Sequence, residues 1–127
     1  MFDDRALRPV TLTNIVRYQG ASGDFHPAHH DPEYARAHRY PSVFSLALLS
    51  AGEMLSIVSE WFGAENLRGF SSRFRATIWL GDVLVFSSKV AEIEELDSTS
   101  HATLELLCST RDRVVIEATA TFVIETS

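Results

Sequence analysis

Apolar and polar residues follow different periods in the two halves of the chain. Between Phe44 and Phe62 the apolar positions recur at helical spacing and cover nearly the whole circumference, a pattern typical of a buried helix. Gly63 follows with the chemistry of a helix C-terminal cap. Because Glu53 and Glu60 interrupt the apolar run, we do not expect this helix to span a membrane.

Polar residues that cap helices mark further helix starts. Ser42 or Ser45 is predicted to cap the long helix, and Asp31 to cap a short helix over residues 32–38. The apolar spacing of residues 11–19 fits a short helix as well as a strand, and both interpretations remain open.

From Phe70 onward the period changes to two, which is typical of β-strands. The alternation predicts strands over residues 70–80, 83–93, 102–109 and 114–124. Gly81 and Asp82 mark the first turn, residues 94–100 are predicted to form a polar connection, and residues 1–10 a lead-in. A buried helix followed by sequence-adjacent antiparallel strands predicts an α+β domain.

Composition and charge narrow the class of protein. With 127 residues, 46% of them hydrophobic, the chain is predicted to form one soluble domain over residues 1–127. A formal net charge of −6 argues against nucleic-acid binding. The lone Cys108 excludes an internal disulfide and, with no basic and apolar leader at the N-terminus, favours a cytoplasmic protein. We expect Cys108 to be buried in a strand.

The candidate chemistry is concentrated in residues 18–31, with the sequence YQGASGDFHPAHHD. A carboxylate and an imidazole, here Asp24 and His29, supply acid–base chemistry near neutral pH. Pro27 prevents a regular helix, so we expect an irregular segment. Alternatively, Asp24 is only a turn cap, and His29 is an ordinary surface or structural histidine. A metal site is not predicted, because the possible ligands, His26 among them, crowd onto one segment.

Residues 22–31 resemble the hydratase 2 motif of the MaoC-like (R)-specific enoyl-CoA hydratases and dehydratases, roughly S-G-D-x-N-P-x-H-x-D. The Asp, Pro, His and second Asp of the motif match in register, and His26 replaces its Asn. Residues 73–84, RFRATIWLGDVL, resemble the family's R-F-x-x-P-x-x-P-G-D-x-L element. The resemblance covers residues 18–90 and implies a hot-dog fold, an antiparallel sheet wrapped around one long central helix.

The resemblance implies a lyase of lipid metabolism. Its reaction would be the (R)-specific hydration of a trans-2-enoyl-CoA, or the reverse dehydration of a 3-hydroxyacyl thioester. Asp24 and His29 are the implied catalytic pair, with His29 as the principal base toward water and Asp24 holding the water and helping to pass a proton to C2. No metal or redox cofactor is implied, and coenzyme A enters only as part of the substrate.

The main departure lies where the family has His-Gly at the start of the long helix, since this chain has Phe44-Ser45. The resemblance implies the backbone N–H of Ser45 as the oxyanion donor, although its side chain narrows the approach. The predicted substrate-binding residues are His26, Phe44, Arg73 and Arg75. His26 is expected to donate a hydrogen bond that holds the segment. The arginines would meet coenzyme A phosphates or, alternatively, lie on a solvated or dimer-facing strand.

The expected partners are an acyl-CoA or acyl-carrier thioester and a second hot-dog subunit, in a homodimer or a heteromer. Two alternatives remain open. One is a non-catalytic or partner-dependent acyl-CoA-binding subunit of a heteromeric hydratase, which Phe44-Ser45 motivates. The other is a hot-dog thioesterase. His30 and His38 are expected to be solvated. Glu53 is expected to pair with an arginine or to mark an exposed strip, with a contact to the acyl tunnel as the alternative.

Overall fold

The computed structural model describes residues 5–125. Within this range five strands form one antiparallel sheet in the order β1-β3-β4-β5-β2, and a long helix packs against it. The strands are β1 (Arg5–Pro9), β2 (Leu67–Phe74), β3 (Val83–Leu96), β4 (Thr99–Ser109) and β5 (Val114–Glu125). The helices are α1 (Leu12–Ser22), α2 (Pro32–Ala37) and the long α3 (Ala47–Phe62).

The core lies between α3 and one face of the sheet. Ala51, Met54 and Val58 of α3 are each at most 2% exposed. Alternate residues of β4 and β5 complete the same buried cluster, namely Leu104, Leu106, Cys108, Ile116, Ala118, Ala120 and Phe122. The predicted packing of a sheet on one long helix is therefore confirmed, as is the burial of Cys108.

Two of the segments predicted to be irregular are strands. Residues 5–9 of the predicted lead-in form β1, which pairs with β3 and is too short to show a period. Most of the predicted polar connection at residues 94–100 is also paired, because β3 and β4 continue to the Leu96–Thr99 pair. Residues 91–98 are exposed, so their polar side chains meet water while the backbone hydrogen bonds are satisfied within the hairpin.

The strand predicted over residues 70–80 ends early, at Phe74. Arg75 still donates its N–H to the carbonyl of Val115 at 2.8 Å, but beyond it the chain leaves the sheet and bonds to the segment before α3. The N–H of Ser45 donates to the carbonyl of Ile78 at 2.8 Å, and the N–H of Leu80 donates to the carbonyl of Val43 at 3.1 Å. This contact brings the chain that follows β2 beside the start of α3.

The ambiguous segment after β1 is helical. Thr11 caps α1, its hydroxyl accepting a hydrogen bond from the N–H of Asn14 at 3.2 Å. Asp31 caps α2 as predicted, by accepting from the N–H of Glu33 at 3.0 Å.

The long helix α3 begins later than predicted, after Leu46, which makes no side-chain capping bond. Neither predicted serine caps it, since the hydroxyl of Ser42 donates to the adjacent carbonyl of Val43 at 2.7 Å and Ser45 precedes the cap position. Gly63 ends the helix as predicted. Among the helices that the structure describes, none has the length and apolar character needed to cross a bilayer.

Candidate active site

The histidine loop, residues 23–31, connects α1 to α2. It starts at Gly23, whose φ of 79° lies in the left-handed region that glycine adopts without strain, and whose N–H donates to the carbonyl of Gln19 at 2.9 Å. After Asp24 the loop forms one 3-10 turn at Pro27–His29. The prediction of an irregular segment is confirmed.

His29 is held in one orientation by a backbone carbonyl. Its side chain is 12% exposed, and its Nδ1 lies 2.7 Å from the carbonyl oxygen of Phe44. Because a carbonyl only accepts, Nδ1 carries the hydrogen and Nε2 of the neutral ring presents a lone pair. Nε2 lies 4.0 Å from Oδ2 of Asp24. The basic nitrogen of His29 therefore faces the carboxylate.

Asp24 divides its two carboxylate oxygens between the loop and the site. Oδ1 accepts a hydrogen bond from the N–H of His26 at 3.2 Å and so closes the turn. Oδ2 is the oxygen that faces His29. The side chain is 53% exposed and keeps contact with solvent. Asp24 is thus a turn cap, as one interpretation held, and this capping orients the other oxygen toward the imidazole.

Asp24 and His29 border a cleft of about 530 Å³, a volume in the usual range for small-molecule sites. It opens between the start of α3 and the chain that follows β2. Its walls are largely apolar and include Leu46, Leu48, Phe74, Ala76 and Ile78. An acyl chain fits such a lining.

The backbone N–H of Ser45 is engaged in this structure. It donates to the carbonyl of Ile78 at 2.8 Å, and Ser45 is 6% exposed. This geometry corrects the prediction of a free oxyanion donor at Ser45, because the contact that closes the chain onto α3 uses that N–H. The amides of Ala47 and Leu48 belong to the first helical turn, where no intrahelical acceptor exists, and both residues border the cleft.

The two predicted arginines are separated. Arg75 borders the cleft and donates to Glu117 Oε2 through Nε at 3.0 Å and Nη2 at 2.8 Å. Arg73 pairs in register with Glu117 and lies beside Ser71 and Thr119, in a different surface depression. Only Arg75 is placed to meet a ligand in the cleft, and its charge is already shared with a carboxylate.

Phe44 and His26 take different positions relative to the cleft. Phe44 borders it and packs edge-on against the ring of His29, with ring centroids 5.0 Å apart. His26 is exposed and lies outside the cleft lining. Its Nδ1 accepts a hydrogen bond from the N–H of Ala28 at 3.1 Å. It therefore holds the loop as expected, but by accepting a hydrogen bond rather than donating one, and it is not a cleft residue.

Gln19 is a site residue that sequence reasoning missed. It is 2% exposed beneath the loop, where Nε2 donates to the carbonyls of Asp24 and His26 and Oε1 contacts Nδ1 of His30 at 3.0 Å. His30 is therefore held by Gln19, and the prediction that His30 is solvated is wrong. The sequence feature that could have identified Gln19 is its position one helical turn after the buried Ile15, on the same face of α1.

Within residues 5–125, no three His, Cys, Asp or Glu side chains come together in a way that could hold a metal ion. The absence of a cofactor stays a prediction.

A family model described as a MaoC like domain matches residues 2–110. The chain belongs to the MaoC-like domain family. The resemblance carried by the two sequence motifs is therefore confirmed, and the histidine loop lies inside the matched range. A search of curated protein sequences finds no match.

Solved structures share the MaoC-like architecture over nearly the whole chain. The (R)-hydratase from A. caviae involved in PHA biosynthesis has a TM-score of 0.84 and 19% identity, over 98% of this chain and 94% of that chain. The ChsH1-ChsH2 complex from Mycobacterium tuberculosis has a TM-score of 0.82 and 19% identity, over 99% of this chain and 98% of that chain. The HadBC (3R-hydroxyacyl-ACP dehydratase) complex from the same organism has a TM-score of 0.74 and 16% identity, over 97% of this chain and 93% of that chain. These similarities confirm the hot-dog fold.

Proposed function

We propose that this MaoC-like protein catalyses the (R)-specific hydration of trans-2-enoyl-CoA, or the reverse dehydration of 3-hydroxyacyl thioesters. The geometry of one pair carries the proposal, since His29 Nε2 and Asp24 Oδ2 lie 4.0 Å apart at the edge of an apolar cleft. Family membership supports the reaction class, and the similarity to an (R)-hydratase supports the stereochemistry.

The separation of the two atoms suits a bridging water. A water oxygen at an ordinary hydrogen-bond distance of about 2.8 Å contacts both atoms at once. Because Nε2 of His29 and Oδ2 of Asp24 both present lone pairs, the water donates one hydrogen to each. Its own lone pairs are then free to attack C3 of the enoyl group.

Bonds and protons balance over the hydration cycle. As the water oxygen forms the C3–O bond, His29 Nε2 takes a proton and the C2=C3 electrons move into the thioester as an enolate. Asp24 then relays that proton from the imidazolium to C2, and both side chains return to their starting states. Dehydration follows the same steps in reverse. Because the two groups exchange one proton, the division of roles belongs to the pair.

The enolate oxygen needs hydrogen-bond donors. Ala47 and Leu48 border the cleft and are the first two residues of α3, so their N–H groups belong to its positive end, which supports them as oxyanion donors in place of Ser45. Coenzyme A is required only as part of the substrate, without a metal or redox cofactor. The same proposal places the protein in the cytoplasm, which the free, buried Cys108 supports.

A second candidate function is that of a subunit that binds acyl-CoA and needs a different hot-dog chain for turnover. Phe44-Ser45 replaces the His-Gly pair of the resembled family, and the N–H of Ser45 is already bonded to Ile78. Two of the structurally similar proteins, ChsH1-ChsH2 and HadBC, are described as complexes.

The test is the loss of enoyl absorbance when purified protein is mixed with short, medium and steroid-like 2-enoyl-CoAs. Asp24→Asn and His29→Ala should each lower the rate at least ~100-fold, the scale expected for acid–base groups. Asp97→Asn and His38→Ala are matched controls, because both residues are exposed and lie outside the cleft. They should retain wild-type activity.

The outcomes separate the candidates. Release of free thiol without hydration would indicate a thioesterase and contradict the proposal. Absence of turnover with every substrate, in a protein that still binds acyl-CoA, would reject the stand-alone enzyme and favour the partner-dependent subunit. Equal losses in control and site variants would show that the pair has no special role.

A further inference from the structure

We propose that the buried amide of Gln19 positions the Asp24–His29 pair by holding the histidine loop. This role presupposes the function proposed above for the pair. Gln19 lies on α1, is 2% exposed and does not border the cleft, so it has no route to the substrate. What it can influence is the loop that its amide contacts.

Every hydrogen-bonding group of the amide is used. Nε2 donates to the carbonyl of Asp24 at 3.0 Å and to the carbonyl of His26 at 3.2 Å. Since carbonyls only accept, the nitrogen must face them, which turns Oε1 toward Nδ1 of His30, 3.0 Å away. His30 must then carry its hydrogen on Nδ1. The orientation of Gln19 and the tautomer of His30 therefore determine each other.

These contacts tie the loop at Asp24, at His26 between the two catalytic residues, and at His30. The carbonyls of Asp24 and His26 bracket the turn that the Asp24 carboxylate closes through the N–H of His26 at 3.2 Å. The third contact holds His30, the residue adjacent to His29. The donors of Gln19 thus set the path of the backbone from which both Oδ2 of Asp24 and the ring of His29 project.

Removal of the amide should move the loop rather than unfold the domain. A methionine side chain has a similar length but no donor, so the two carbonyls would turn toward water to recover a partner. A misplacement of about 1 Å in a catalytic group costs roughly 100-fold in rate. Gln19→Met should therefore act on turnover through the geometry of the pair.

The first measurement compares Gln19→Met with Ile15→Val in the enoyl-CoA assay. Ile15 lies one turn earlier on the same buried face, is 1% exposed and has no side-chain hydrogen-bonding group. Gln19→Met should lower kcat by about 10- to 100-fold while KM changes less than about 3-fold, because orientation rather than binding is lost. Ile15→Val, which trims the core without touching the loop, should keep both values near wild type.

The second measurement does not require turnover. Long-range ¹H–¹⁵N NMR spectra of the histidine rings should show the hydrogen of His30 on Nδ1 in the wild type. In Gln19→Met that tautomer should lose its preference and the signals of His29 should shift. Ile15→Val should leave both rings unchanged.

Two results would overturn the role of Gln19. One is a wild-type spectrum with His30 protonated on Nε2 alone, which excludes the contact. The other is a Gln19→Met protein with unchanged kcat and unchanged His29 signals. If the wild type hydrates no substrate, the proposed function fails by itself. The NMR comparison then still decides whether Gln19 positions the loop.

Discussion

Cys108 has no exposed surface on β4. Burial raises the pKa of its thiol to about 12, and the negative charge of Glu53 adds to the rise. In the unfolded chain a thiol has a pKa of about 8.5. Between these values only the unfolded chain releases the proton, so the free energy of unfolding falls as the pH rises, by up to about 1.4 kcal/mol per pH unit.

Urea unfolding of the wild type and of Cys108→Ala, from neutral pH to about pH 10.5, measures this contribution. The variant has no thiol to titrate, so its stability should fall less steeply above about pH 8.5. Near neutral pH the free energies of unfolding of the two proteins should differ by an amount that does not change with pH, which reflects the cavity left by the sulfur. Parallel profiles over the whole range would contradict a protonated, buried thiol.

Glu53 is a second residue whose environment opposes its charge. It pairs with Arg8 at 3.6 Å as predicted, and burial raises the pKa of its carboxyl although the guanidinium lowers it in part. Just above the unfolded value, the folded chain retains a proton that the unfolded chain has lost, so the carboxyl costs stability at neutral pH. Glu53→Gln should therefore give a small rise in Tm at pH 7.

The advantage of Glu53→Gln should vanish at about pH 3, well below the unfolded pKa of about 4.3, because the carboxyl is then protonated in both states. Glu60→Gln on the same helix is the control, since Glu60 is exposed and should change little at either pH. A lower Tm for Glu53→Gln at pH 7 would mean that the pair with Arg8 outweighs the cost of burial.

Sequence reasoning found the residue types of the site but not their partners. Asp24 and His29 stood out because they lie close together in one motif. The engagement of Ser45 by Ile78, and of Arg75 by Glu117, depends on contacts between distant parts of the chain. A local pattern contains no information about such contacts.

At the scale of elements, the junction between α1 and the histidine loop depends on Gly23. Its φ of 79° is strained for any residue with a Cβ, although no atom lies within 4 Å of the position where that Cβ would stand. Gly23→Ala should therefore cost about 1–2 kcal/mol of unfolding free energy through the backbone alone. Because Asp24 follows directly, the same change should also lower turnover.

Gly20→Ala should have the opposite effect on the free energy of unfolding. Gly20 lies inside α1 without a positive φ, and its added Cβ would meet no atom within 4 Å. Alanine there should stabilise the protein by about 0.5–1 kcal/mol. Denaturant titration of the two variants should therefore show shifts of opposite sign. Equal shifts would show that φ does not govern this junction.

Periodicity predicted those elements that bury one face. The long helix and the last three strands were placed within a few residues because α3 and the sheet cover each other. β1 was missed because five residues at the sheet edge carry too short a pattern. The end of β2 was wrong because a distant backbone contact, from Ser45 to Ile78, draws the chain out of the sheet.

At the scale of the whole molecule, the two edge strands of the sheet, β1 and β2, differ in how readily they would pair with a second chain. β1 is five residues long and contains Pro9. In the described part of the chain, β1 pairs with β3 only as far as Ser87, and the rest of β3 carries Glu92, Glu94 and Glu95. Short length, proline and like charges all disfavour pairing with a second chain. β2 is longer, with eight residues and no proline, although it carries Arg68 and Arg73.

We therefore expect a second hot-dog chain to join at β2. Phe74, at the end of this strand, is 47% exposed, Leu48 on α3 is 62% exposed, and both border the cleft. A partner there would cover both side chains and enclose the cleft. Sedimentation equilibrium should give about twice the mass of one chain, and amide exchange should be slowed along β2 but not along β1.

The assembly also makes activity depend on concentration. If a second copy encloses the cleft, dilution below the dissociation constant should lower the specific activity in step with the loss of dimer. Measuring hydration and sedimentation over the same dilution series tests this link. Activity that persists in the monomer would show that one chain completes the site. If the protein stays monomeric and inactive at every concentration, the edge at β2 does not pair with a second copy. Activity would then require a different hot-dog partner.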